Sequence, residues 1–237
     1  MTRCVGYLGL MIIALTGQKG GIGKSTTAVC LALAAMERGR RVLLVDADPQ
    51  GTVRTWGDVA SEAGRPIPTI VAMGAAMHRP GQLLDVAPAY DLTIIDCPPR
   101  QGEVARSALM VADLAVFPCG PTAADAWALA AAVEVFHDAR TLRDELLGCV
   151  LITRKQGRTA LGKGARAVLE TTGLPVLRTE LGYRVAYQEA LAMGQGVTSY
   201  APRDAASREI WNLIDELETL CHGQEERGGF VAEAAVA

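Results

Sequence analysis

Residues 12–27 read IIALTGQKGGIGKSTT, and this stretch decides the fold. Ile12, Ile13, Ala14 and Leu15 form a short apolar run that suits a buried strand. A glycine-rich turn follows, closing in Gly23-Lys24-Ser25, and an Ala/Leu-rich pattern at helical spacing begins at once. Strand, glycine loop and helix, in that order, are what a phosphate-binding loop requires. The glycines let backbone N–H groups point inward at an anion, and the new helix adds the positive end of its dipole. In such a loop Lys24 reaches the β- and γ-phosphates and the Ser25 hydroxyl ligates Mg²⁺.

The chain around this loop has 237 residues, half of them hydrophobic, with few aromatics and ordinary charge. That suits a single α/β domain, expected over residues 1–222. Met11 is a candidate natural start, which makes residues 1–10 an expected disordered extension; residues 223–237, rich in Gly, Glu and Ala, are an expected disordered tail. No apolar run approaches the roughly 18 residues of a spanning helix. The opening MTRCVGYLGLMIIAL resembles a leader peptide only superficially, because Ile12–Leu15 is needed as the strand before the loop. The six cysteines show no C-x-x-C spacing, and three histidines lie far apart, so a reduced cytoplasmic compartment without a protein metal cage is expected.

Strand and helix patterns alternate along the chain. Continuous apolar strands are expected over Arg41–Val45 and Leu92–Asp96, and further strands over Asp113–Pro118, Cys149–Thr153 and Pro175–Thr179, with a short one near Ile67–Ala72. Helices are expected over Ser25–Glu37, Thr52–Ala63, Gly102–Val111, Ala123–Leu147, Leu161–Thr172, Val185–Met193 and Pro202–Leu220. This alternation specifies a doubly wound, mostly parallel sheet flanked by helices. Ligands of such sheets sit at the carboxyl ends of strands, where segments 17–25, 46–50 and 96–100 all fall.

Two further segments carry candidate chemistry. Asp96 ends an apolar strand and is placed to hold Mg²⁺ opposite Ser25. Asp46 and Asp48, in Asp46-Ala-Asp48-Pro-Gln-Gly51, put two carboxylates after another strand. In-line hydrolysis wants one carboxylate near the γ-phosphate and one near the metal. Asx-turns after a strand are the alternative, and they are expected for one of the two at most.

One detail departs from the ordinary loop pattern: the glycine expected five residues before Gly23 is Gln18, and an extra lysine, Lys19, follows it. Lys19-Gly20-Gly21-Ile22-Gly23-Lys24-Ser25-Thr26, VLLVDADPQG and DLTIIDCPP occur in the order found in the ParA/MinD family of deviant Walker A ATPases, and the chain resembles that family over nearly its whole length. The resemblance implies a P-loop ATPase that binds ATP and Mg²⁺ through this loop. In the family Lys19's counterpart crosses to the nucleotide of the partner subunit, so an ATP-bound homodimer is implied. Asp48 would orient the attacking water, Asp46 would support the Mg²⁺ shell with Ser25 and Asp96, and Thr153, Arg154 and Pro202 would border the adenine.

Charge is unevenly spread. Residues 140–208 carry 11 Lys/Arg against 6 Asp/Glu, a net +5, while residues 209–237 carry 1 against 7, a net −6. ParA-type ATPases bind DNA without sequence preference through basic residues late in the chain, and Arg184 and Arg203 resemble those positions. With no helix-turn-helix before the loop, the chain is similar to the short type of partition ATPase. It is expected in the cytoplasm, associated with the nucleoid, with hydrolysis stimulated by a ParB-like adaptor. A MinD-like membrane switch would need a basic amphipathic final helix, which residues 209–237 are not. A reductase like the nitrogenase iron protein would need cluster cysteines, and the surroundings of Cys97 and Cys119 (DCPPR, FPCGP) do not match.

Overall fold

The computed structural model describes residues 11–100, 102–156 and 166–233, with side chains described as far as residue 221. Residues 1–10, Arg158, Lys163 and the first part of the helix expected over Leu161–Thr172 lie outside the described residues; residues 166–170 are helical. Seven strands form one sheet: β1 (Met11–Leu15), β2 (Val42–Asp46), β3 (Thr69–Ala72), β4 (Leu92–Asp96), β5 (Leu114–Cys119), β6 (Leu147–Lys155) and β7 (Val176–Gly182). Their order is β3-β2-β4-β1-β5-β6-β7, and every pairing is parallel.

Both faces of the central strands are buried, which is why these strands are continuously apolar. In β1, Ile13 and Leu15 join one core and Ile12 and Ala14 the other. The first core is closed by α1 (Lys24–Glu37), α2 (Thr52–Glu62), α6 (Val185–Ala192) and the last helix, α8 (Ala205–Glu233). The second is closed by α4 (Gly102–Leu109) and α5 (Ala123–Arg140). Two further helices, α3 (Leu83–Val86) and α7 (Val197–Tyr200), are short.

Several boundaries differ from the sequence expectation. The helix expected to reach Leu147 ends at Arg140, because Leu147 is already β6, pairing with Leu114 at the start of β5. Gly148 sits under the Phe136 ring, where an added Cβ would come within 2.5 Å of a ring carbon. The close approach of α5 to β6 therefore depends on that glycine. The segment expected to leave the fold at residue 223 instead continues α8 to Glu233. Gln224-Glu225-Glu226-Arg227 are strong helix formers, and extending a helix already nucleated costs little.

The acidic last helix has an internal use. β7 closes one edge of the sheet, and Glu216 accepts hydrogen bonds from the N–H groups of Arg178 and Thr179 at 2.7 and 2.9 Å. Edge-strand donors that could template another chain are thereby covered. Asp215 and Glu218 reach across to Arg38 and Arg40 at the end of α1.

Candidate nucleotide-binding site

The parallel order places the ends of β2, β4, β1 and β5 side by side. Asp96 is in register with Leu15 on one side and Asp46 on the other, so both acidic segments flank the loop that follows β1. Within that loop Gly21 and Gly23 adopt positive φ of 70° and 95°. That backbone suits glycine and lets the turn feed straight into α1. The Thr27 hydroxyl donates to the Gly23 carbonyl at 2.8 Å and pins the first turn of the helix.

Lys24 is buried, and its ammonium donates to the Lys19 carbonyl at 2.9 Å. Burial draws its pKa down, opposed by the charges of Asp96 and Asp48. Asp96 is fully buried, and burial pushes its carboxyl up to about 7. The Ser25 hydroxyl lies close enough to draw that value down, yet no group completes a hydrogen bond to either Asp96 oxygen. A buried carboxylate with both oxygens unpartnered, facing a P-loop serine, fits a divalent cation. Among the described residues no cluster of three His, Cys, Asp or Glu could hold a metal. Mg²⁺ here would therefore rest on Asp96, Ser25 and the phosphates, the arrangement this hard, strongly hydrated ion favours.

The other two carboxylates are differently engaged. Asp46 Oδ1 accepts from the Asp48 N–H at 3.2 Å, and Oδ2 accepts from the Arg54 N–H and Nε at 3.0 and 3.2 Å. Oδ1 holds the loop after β2 and Oδ2 the first turn of α2, so Asp46 shapes the loop rather than offering a free ligand. Asp48, half-buried, accepts from the Gln50 N–H at 2.9 Å. Both aspartates thus make Asx-type contacts, where at most one was expected. A two-residue turn after β2 lets each carboxylate meet the N–H two residues on, and Asp48 needs only one oxygen to do so.

Lys19 extends to α5, where its Nζ lies 2.6 Å from Asp125 Oδ1. Asp125 also completes a capping box with Thr122 at the start of that helix. Burial acts to raise the Asp125 pKa, but the Lys19 and Thr122 hydrogen bonds outweigh it and hold the carboxyl below its ordinary value. The Thr122-x-x-Asp125 spacing is a visible helix-start signal; nothing in the sequence links it to Lys19.

Beside the loop lies a cleft of about 390 Å³, bounded by the P-loop and by the ends of β6 and β7. Thr153 donates its hydroxyl proton to the Ile22 carbonyl at 2.8 Å, and Arg154 Nη1 donates to the Gly21 carbonyl at 3.1 Å. Arg154 adopts a φ of 54° and stacks its guanidinium 5.5 Å from the centre of the Tyr183 ring. Thr153 and Arg154, expected beside the adenine, both line this cleft. Pro202 does not: it is exposed in the turn between α7 and α8, and residues 181–188 form that wall instead, because the end of β7 runs beside β6. Arg184 also lines the cleft, bonded to Glu209, while Arg203 is exposed and in no ion pair among the described residues.

Residues 13–197 match the family model described as the CobQ/CobB/MinD/ParA nucleotide binding domain. The chain belongs to this family. Among its curated relatives is the maintenance of carboxysome distribution protein A of Halothiobacillus neapolitanus, 31% identical over 86% of this chain and 95% of that protein. The chromosome-partitioning ATPase Soj of Thermus thermophilus is 30% identical over 86% of this chain and 94% of its own length. Solved family structures share the fold. An ATP complex of a McdA variant from Cyanothece superposes with a TM-score of 0.73 at 16% identity, covering 89% of this chain and 98% of that one. The cell division ATPase MinD of Pyrococcus furiosus gives 0.72 at 21% identity, covering 89% and 99%. Family members are ATPases that use ATP and Mg²⁺, and this chain is a P-loop ATPase of the ParA/MinD type.

Proposed function

We propose that the chain is an ATP-driven dimerising switch. In this reading it binds DNA without sequence preference and positions or segregates a plasmid, a chromosome locus or another cargo over the nucleoid. A partner adaptor stimulates its hydrolysis. The observation that carries this is the division of labour between two lysines of one loop. Lys24 curls over the loop's own backbone, while Lys19 reaches away to α5, leaving it suited to a phosphate other than the one this loop cradles. Relatives that maintain carboxysome distribution and partition chromosomes support the positioning role.

In hydrolysis the N–H groups of residues 20–26, including Gly20 and Thr26, and the start of α1 bind the phosphates, with Lys24 neutralising their charge. Ser25 and Asp96 would hold Mg²⁺, which would offset charge developing on the phosphates. Asp48 orients the attacking water, and Asp46 fixes the Asp48 loop through its bonds to Asp48 N–H and Arg54. Exposed Arg203 contributes phosphate contacts to DNA.

DNA binding measured with ATP, with ADP and without nucleotide, across a salt series, tests this reading. ATP-dependent binding that is indifferent to sequence and falls steeply with salt is expected. Absence of DNA binding in every nucleotide state would overturn it.

A further inference from the structure

The wall of the cleft opposite the P-loop is organised by one carboxylate that does not itself line the cleft. Glu209, in the first turns of α8, accepts through Oε2 from the Gly182 N–H at 3.0 Å and lies 2.9 Å from the Tyr187 hydroxyl. Its Oε1 accepts from Arg184 Nε and Nη2 at 2.8 and 2.6 Å. Four donors meet a group with about four lone-pair sites, so the carboxylate is saturated. Gly182, Arg184 and Tyr187 all line the cleft.

The partners are matched to this task. Burial first, and then the Glu209 charge, push the Tyr187 pKa up, keeping its hydroxyl a neutral donor. The Glu209 hydrogen bonds raise the pKa of the always-charged Arg184 guanidinium further. A Cβ at residue 182 would come within 2.9 Å of that guanidinium, so glycine is what lets Arg184 fold back to the carboxylate. Asp215 and Glu218 tie the same helix to α1, which begins in the P-loop. The two sides of the cleft are therefore braced by one element.

We propose that Glu209 is a positioning residue for nucleotide binding. It fixes Gly182, Arg184 and Tyr187 as the wall against which the nucleoside end of ATP packs, and Arg184 belongs to that wall rather than to a DNA surface. The proposal rests on the cleft being the nucleoside end of the ATP site, with the triphosphate on the P-loop. Removing Glu209 takes the acceptor from the Gly182 N–H and from both Arg184 nitrogens, leaves the Tyr187 hydroxyl only the Ala206 carbonyl at 3.2 Å, and frees a cationic side chain to swing into the cleft.

Calorimetric titration of ATP and of inorganic tripolyphosphate into wild type, Glu209→Ala, Glu209→Gln and Gln188→Trp tests it. Glu209→Ala should weaken ATP by about tenfold or more while tripolyphosphate, which needs only the P-loop, stays within about twofold. The KM for ATP should rise with kcat nearly unchanged, since Glu209 touches no reacting atom. Glu209→Gln, whose amide oxygen still accepts from Gly182, should fall between, and it carries the comparison if the alanine variant does not fold. Equal losses for ATP and tripolyphosphate, or ATP affinity within about twofold of wild type, would overturn the proposal. Gln188→Trp fills the cleft and should weaken ATP alone. If it leaves ATP affinity unchanged, the cleft is not the nucleoside site, and that underlying reading fails with the proposal. If Gln188→Trp weakens ATP and Glu209→Ala does not, only the role of Glu209 fails.

Discussion

Lys19 and Asp125, 106 residues apart in sequence, form an ion pair of 2.6 Å between the P-loop and the first turn of α5. Lys19 is over a third exposed, so the pair by itself adds little stability. Its consequence is conformational. In the proposed dimer Lys19 would have to give up Asp125 to reach the partner subunit's nucleotide, and that exchange would set part of the cost of dimerising. Asp125→Asn should lower the ATP concentration for half-maximal dimer by several-fold, at about 1 kcal/mol of fold stability from the weakened cap. Lys19→Ala should give no ATP-dependent dimer. Sedimentation velocity across an ATP series measures both; an unchanged midpoint for Asp125→Asn would show the pair is no latch.

Asp48 keeps one oxygen outside its turn contact with Gln50, and Asp46 keeps none. Asp48→Ala should therefore cut hydrolysis by about 10²-fold or more while ATP still binds, accumulating the dimer. Lys24→Ala should bind no ATP. Size-exclusion chromatography with ATP showing only monomer for Asp48→Ala would count against its role.

Burial raises the Asp96 carboxyl to about 7, so nucleotide binding at this site should depend on pH. Between the ordinary carboxylate pKa and about 7 the folded chain holds a proton that the unfolded chain has released. Asp96 therefore lowers stability as pH rises through that window. Asp96→Asn should stabilise the protein at pH 8 by at least about 1 kcal/mol, roughly 2–4 °C in Tm for a domain of this size. Mg²⁺ held by Asp96 would compete with the same proton, so Mg–ATP affinity of the wild type should fall between pH 8 and pH 6. Calorimetry in two buffers of different ionisation heat should show a proton released on binding, and Asp96→Asn should lose that release.

Thr153 and Arg154 clamp successive P-loop carbonyls from the end of β6. Thr153→Val keeps the shape but leaves the buried Ile22 carbonyl without its donor, which should cost about 1 kcal/mol. ATP affinity should fall with it, because the loop loses its brace. Chemical denaturation paired with nucleotide titration separates the effects; loss of stability with no loss of affinity would make Thr153 a core residue only.

Arg203 and Arg184 should differ in DNA binding, though both resemble the family's basic positions. Arg203 is exposed and in no ion pair among the described residues, whereas Arg184 is held by Glu209. Arg203→Ala should weaken binding for all sequences alike and reduce the slope of log K against log salt by about one. Arg184→Ala should leave that slope unchanged. Filter binding from low to moderate salt distinguishes them.

Much of this protein was legible along the chain because its signals are local. A P-loop needs glycine backbone, a lysine and a hydroxyl within a few residues, and Gly21 through Ser25 supply them in one turn. Strands buried on both faces must be continuously apolar, so β1, β2, β4 and β5 stood out, and an aspartate at the end of such a run announced Asp96. Fold, nucleotide class and family followed from these. Tertiary structure alone decided which side chains meet. Strand order brought Lys19 to Asp125, set Thr153 and Arg154 against the loop, and folded α8 back so that Glu209 could hold residues 182–187. It also moved Pro202 out of the cleft and committed both oxygens of Asp46. Ion pairs and hydrogen bonds between segments a hundred residues apart leave no periodicity and no spacing to read. They exist only once the sheet has chosen its order.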